Sequence, residues 1–311
     1  MHKSVLFILL ALSASLLSCG EGIVEVTNAS FQPQIVVEGF LIAGQNVDNI
    51  HLTKNFRLDA DLRRTDLVIS NAQAAIIDES TGKSYPLTFQ DSPFPPGHPD
   101  RNRLNQAHYG YTGNDLVVEH GKTYALEVRA VIEGKTLHTR AKTTVPQAGF
   151  RIAGINYDSL RYRQQGANGE VLHFQLSLER SPGTDFYVAA LRPQNASTEN
   201  FIYDNPYSDK TPAEVADDFG DLTNSILWIQ NTPVAAGLSL FDLFWWEIWF
   251  YSEYEVIVYA ADRNYADFMM TYQDVQEEDG NFHAAKFHLE GDGIGVFGAV
   301  VADTVRIKVL K

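Results

Sequence analysis

The chain has a single cysteine among its 311 residues, so no internal disulfide can form and stability must come from a packed core. It also lacks a basic surplus: 24 Lys and Arg stand against 39 Asp and Glu, for a net charge of −15. Nucleic-acid phosphates need a basic face, and so does an anionic lipid surface, which excludes both as charge-driven partners. After residue 20 every apolar run is broken by a charge within a few residues, leaving no stretch of the roughly 20 residues that a membrane helix needs. Catalytic and metal motifs are missing too. There is no His-Glu-x-x-His and no serine in a Gly-x-Ser-x-Gly context. His283 and His288 are five apart and would face opposite sides of a strand. The carboxylates Glu214, Asp217, Asp218 and Asp221, and the run Glu277, Glu278 and Asp279, lack EF-hand spacing and read as solvated acidic loops. No metal, no cofactor and no enzyme activity is implied.

What is present begins at the N-terminus, with "MHKSVLFILLALSASLLSCG". Lys3 gives a positive start, Val5 to Leu17 an apolar run, and small residues follow, which is the pattern of an export signal. The only cysteine, Cys19, follows Leu16, Leu17 and Ser18 and resembles a lipobox, in which the thiol is acylated and becomes the new N-terminus. Multiple acyl chains such as palmitate hold a protein stably on a membrane. Gly20 is not the aspartate that retains such proteins in an inner membrane, so the expected address is the outer membrane, on either its periplasmic or its surface face. Removing residues 1–18 leaves 293 residues, enough for two domains.

Residues 19–33 read as a tether, and from Gln34 the pattern is β. "QIVVEGFLI" is a strand, and "NAQAAIIDESTGKSYPLTF" is strand, turn, strand. In "KTYALEVRAVIEGKTLHTRAKTTV", Tyr124, Leu126, Val128, Ala130 and Ile132 share one face and "EGK" turns the chain. Some seven short strands predict an immunoglobulin-like β-sandwich over 34–146. It is interrupted by a proline-marked loop at 90–106, a candidate contact surface. A second β-rich domain is predicted over 147–311. It has strands at "EVLHFQLSLER", "DFYVAALRP", "EYEVIVYAAD" and the C-terminus. Its one short helix is expected at Arg263–Gln276, with Asp262 as N-cap and Tyr265, Phe268, Met269 and Tyr272 at helical spacing. The fold class is therefore mainly β.

In this order the chain resembles the DUF4249-type lipoproteins of Bacteroidetes. The resemblance is carried by Cys19, "IVVEGFLI", "NAQAAIIDESTGKSYPLTF", "HGKTYALEV", "TVPQAGFRIAGINYDSLRY", "YEVIVYAADRNYADFM" and the terminal "GDGIGVFGAVVADTV". It implies an accessory outer-membrane lipoprotein, encoded beside TonB-dependent transporters and serving nutrient capture or transporter assembly. It carries no catalytic residues over.

The most unusual stretch is "FDLFWWEIWFYSEYEV" (241–256), which holds three of the four tryptophans. Read as a strand, Phe244, Trp246, Ile248, Phe250, Tyr254 and Val256 form a core face. Trp245, Glu247, Trp249, Tyr251 and Glu253 form the other, where rings alternate with carboxylates. Trp and Tyr are enriched at interfaces because they bring large area with a polar handle. That second face is either covered as well, by the 263–276 helix or a loop, or a recognition surface, for which Trp245, Glu247, Trp249 and Tyr251 are the candidate binding residues. The function expected is a non-enzymatic binding or assembly partner of a TonB-dependent transporter. A glycan- or peptide-capturing module is the second reading, and a surface hydrolase a third.

Overall fold

The computed structural model describes residues 31–57, 63–93, 106–182, 184, 186–223, 225–229, 238–272 and 285–311. Cys19, residues 94–105 of the proline-marked loop, His283 and the carboxylates 277–279 lie outside the described residues. The protein is mainly β. Alternation of apolar and polar residues writes the first sandwich. β1 (Ile35–Ile42) buries Ile35, Val37 and Leu41, and β2 (Ile50–Lys54) pairs antiparallel with it. A single helical turn, α1 (Arg64–Leu67), precedes β3 (Gln73–Asp78), β4 (Ser84–Gln90), β5 (His108–Gly110), β6 (Thr123–Ile132) and β7 (Lys135–Thr144). All five predicted inward positions of β6, Tyr124 to Ile132, are buried. The β6–β7 hairpin closes through Glu133 and Gly134, at φ 53° and 77°, the left-handed geometry that a two-residue hairpin turn requires. β4 changes sheets along its length: Ser84–Leu87 pair with β3, and Thr88–Gln90 with β5. Both sheets thus feed one core, in which Val37 and Ile50 meet Ile76, Leu126 and Val128.

The second half repeats the architecture. Its strands are β8 (Arg151–Ile155), β9 (Ser159–Arg161), β10 (Phe174–Glu179), β11 (Phe186–Pro193), β12 (Ser225–Ile229), β13 (Leu238–Leu243) and β14 (Glu253–Ala261). β13, β10 and β8 make a three-stranded sheet that shares a core with β11 and β14, and β12 pairs with β11. Leu176 and Leu178 of β10 share a core with Tyr187 and Leu191 of β11 and with Val256 and Val258 of β14. The stretch Glu214–Asp221, expected as an acidic loop, is helical instead, in α2 (Pro212–Asp217) and α3 (Phe219–Leu222). The local reason is a capping box. The Thr211 N–H donates to Glu214 Oε2 (2.8 Å), the Glu214 N–H donates to Thr211 Oγ1 (3.4 Å), and Pro212 stands in the first turn. Asp218 is paired with Lys210 at 2.5 Å.

α4 (Arg263–Tyr272) is the helix expected over 263–276, of which 273–276 lie outside the described residues, and Asp262 caps it by accepting the Tyr265 N–H at 3.1 Å. β15 (Leu289–Gly291) joins β7, and β16 (Gly293–Leu310) closes the chain. β16 spans 18 residues and serves both halves. It runs parallel to β1 over Gly293–Val300, then antiparallel to β14 over Val300–Lys308. Phe297 and Ala299 accordingly sit in the first core, and Val301, Ile307 and Val309 in the second. The glycines of "GIGVFG" permit this. Gly295 has φ 106°, and a Cβ there would strike the Val37 carbonyl. A Cβ on Gly298 would lie 2.9 Å from Asp262 Oδ1. Residues 33–311 form one compact unit. No helix among the described residues is long and apolar enough to cross a membrane.

Candidate functional site

The aromatic stretch is not one strand. β13 ends at Leu243, Phe244 is extended, and Trp245–Glu247 make a tight 3-10 turn before the chain re-enters a sheet at Glu253. The turn is held from within. Glu247 Oε2 accepts the Phe244 N–H at 2.9 Å, and the Ile248 N–H donates to the Trp245 carbonyl at 3.3 Å. Burial pushes the Glu247 carboxyl above its usual range, opposed by that hydrogen bond.

A turn of this kind breaks the period of two, and the expected faces exchange members. Trp245, expected on the outer face, is only 2% exposed. Its indole N–H donates to the Leu172 carbonyl at 2.8 Å, and its ring packs edge-on against Tyr162 (5.2 Å) and Phe174 (5.8 Å). Trp246, expected in the core, is 44% exposed. Ile248, Phe250 and Tyr254 are buried as expected. The Tyr254 hydroxyl accepts the Phe250 N–H (2.8 Å) and donates to the Phe250 carbonyl (3.1 Å), which clamps the bend that follows. Trp249 is half-buried and parallel to Phe201 at 6.3 Å.

Residues 249–251 pair with 200–202, through the Ile202 N–H to the Trp249 carbonyl (2.9 Å) and the Tyr251 N–H to the Asn200 carbonyl (2.8 Å). That pairing brings a second loop, 203–208, beside the turn. Asn205 folds this loop by accepting the Tyr207 N–H at 2.9 Å. Tyr203 and Tyr207 are 42% and 53% exposed. Trp246 stacks on Phe244 (4.3 Å, 10°) and meets Tyr207 nearly at right angles (5.8 Å, 78°). The Tyr251 hydroxyl donates to Asp204 Oδ1 at 3.1 Å, and burial with this carboxylate pushes it up to about 12. Tyr162, edge-on to Tyr251 at 6.2 Å, is likewise pushed up to about 12 by burial. Sequence reasoning missed Tyr203 and Tyr207. The signal was the Asx turn in "YDNPYSD", which marks an exposed loop carrying two rings.

Two clefts are lined mainly by charges already held in ion pairs, although Arg140 Nε in the second has no hydrogen-bond partner. One, of about 370 Å³, lies at the β3–β4 turn, where Lys83 holds Asp115 at 2.6 Å and Lys122 holds Glu119 at 2.6 Å. The other, of about 350 Å³, lies between β7 and α4, where Glu79 holds Arg140 and Lys142 at 2.5 Å each. His288 pairs with Asp267 at 3.0 Å. Among the described residues no three His, Cys, Asp or Glu side chains converge as a metal site. The ring-lined end of the second sandwich is thus the candidate site. The family model described as "Domain of unknown function (DUF4249)" matches residues 23–305. No curated protein matches the chain.

Proposed function

The chain belongs to the DUF4249 family, and from that premise we propose that it is an outer-membrane lipoprotein, anchored through Cys19, that acts as a non-enzymatic binding partner of a TonB-dependent transporter in nutrient uptake. The ring-lined end of the second sandwich is its surface for cargo, separate from its contact with the transporter. One observation carries this reading: Trp246 and Tyr207 stand exposed and in contact at 5.8 Å, with Tyr203 exposed on the same loop as Tyr207. Exposed aromatic clusters of this kind mark binding sites on otherwise polar proteins. The lipobox of Cys19 supports the anchor, and the resemblance carried by "GDGIGVFGAVVADTV" supports the transporter neighbourhood.

The test is purification of the C-terminally tagged, lipidated protein from its own outer membrane, with mass spectrometry of what accompanies it. One β-barrel transporter in near-equal amount is expected. A protein that comes down alone, or that leaves the membrane fraction unchanged when Cys19→Ser is made, overturns the reading.

A further inference from the structure

The plane of Trp246 is fixed before any ligand arrives, because Phe244 backs it at 4.3 Å and 10°. Tyr207 stands across it at 78°, so the two exposed rings form a corner. Beneath and beside this corner lies an unusual concentration of unmet polar capacity. Among the described residues five buried side-chain polar atoms have no hydrogen-bond partner, and three of them belong here: Tyr162 Oη, His173 Nδ1 and Asn205 Nδ2. His173 packs on Phe244 at 5.2 Å, Tyr162 packs on Trp245, and Asn205 is only 2% exposed in the loop that carries Tyr207. Buried polar groups are rarely left unpaired, but these three are sealed from solvent and out of a ligand's reach, so the polar contacts the corner can offer are its exposed ones. Asp204 is exposed, and its carboxylate, which already receives the Tyr251 O–H, keeps accepting capacity at the same end.

The ligand must offer flat apolar area to the rings and many groups that both donate and accept. It should carry no negative charge, since the chain is at −15. An extended peptide would instead add along an open strand edge such as that of β13, which pairs only with β10 among the described residues, and would make no use of the Trp246 plane. A pyranose ring meets each demand, with a C–H face for the aromatic plane and hydroxyls for the exposed Asp204 carboxylate and Tyr207 hydroxyl.

We propose that the Trp246–Tyr207 corner binds a neutral saccharide, the cargo of the uptake role above; the inference rests on that reading of the ring-lined end as a binding surface. The test is native affinity electrophoresis of the detergent-extracted full-length protein in gels containing amylopectin, xyloglucan, glucomannan or arabinoxylan. Retardation is expected in at least one gel. It should fall at least tenfold in the Trp246→Ala, Tyr207→Ala double variant, while Trp246→Phe keeps part of it and Phe56→Ala, on the first sandwich, keeps all of it. The double variant should retain its unfolding midpoint, because both rings are exposed, and should still bring down the transporter. Absence of retardation in all four gels overturns the saccharide, and so does retardation that the double variant leaves intact. If the transporter still accompanies the protein in those cases, the function proposed above stands without the saccharide. If the double variant sheds the transporter and no gel retards the wild type, the corner docks the barrel, and the saccharide and the separate cargo surface fall while the partnership stands.

Discussion

At the residue scale the sequence suggested four candidate ligands for a partner, and the fold has given them different jobs. Trp245 is a core residue with a satisfied indole, so Trp245→Ala should destabilise by roughly 3–5 kcal/mol, the usual cost of emptying a buried aromatic site. Trp246→Ala should cost under about 1 kcal/mol, since that ring is half in solvent; paired urea titrations measure both. A larger loss at Trp246 would mean that its stack on Phe244 is structural. Asp262 offers a second test. It is nearly buried, accepts from Thr143 Oγ1 (2.5 Å) and the Tyr265 N–H, and lies beside Gly298. Burial raises its carboxyl above the usual carboxylate range, with those hydrogen bonds opposing. The folded state therefore holds this proton more tightly than the unfolded chain. Its contribution to stability falls as pH rises from about 4 through the raised folded value, then stays level. Asp262→Asn removes the titration, so the stability of the variant relative to wild type should rise between pH 3.5 and pH 7 in urea unfolding. A pH-independent difference would refute the raised value.

At the element scale, strands were the most legible part. The alternation in "TYALEVRAVI" and "YEVIVYAA" fixed both element and inward face, because a half-buried strand must alternate. The aromatic stretch was misread because its periodicity fits a strand over six residues, while Glu247 closes a turn that only the three-dimensional hydrogen bond reveals. The acidic helices were missed for a different reason: charge drew attention away from the Thr211–Glu214 capping box, which local sequence does encode. The glycine run was legible as close packing, though not its partners. Gly295→Ala must force a side chain into a φ of 106° and against the Val37 backbone, so a loss of at least about 2–3 kcal/mol is expected. Gly44→Ala, at φ 80° with open space around it, should cost about 1 kcal/mol. Equal losses in thermal melts would show that β1 yields readily to β16.

At the scale of the whole molecule, β16 governs. Two cores that share one continuous strand, with the Asp262 and Asn264 side chains binding α4 to β7 and β16, cannot come apart independently. Calorimetry should therefore give one transition for residues 33–311, and two resolved transitions would refute the coupling. The sequence by itself determined the mainly β class, the positions of most strands and their buried faces. These follow from local periodicity and composition, which each segment carries alone. It also supplied the reading of Cys19 as an anchor. Only the tertiary structure decided which rings are core and which face solvent, because that depends on a turn and on the 200–208 loop packing beside it. It alone showed one strand crossing both sandwiches, since pairing between residues hundreds of positions apart leaves no trace in local pattern.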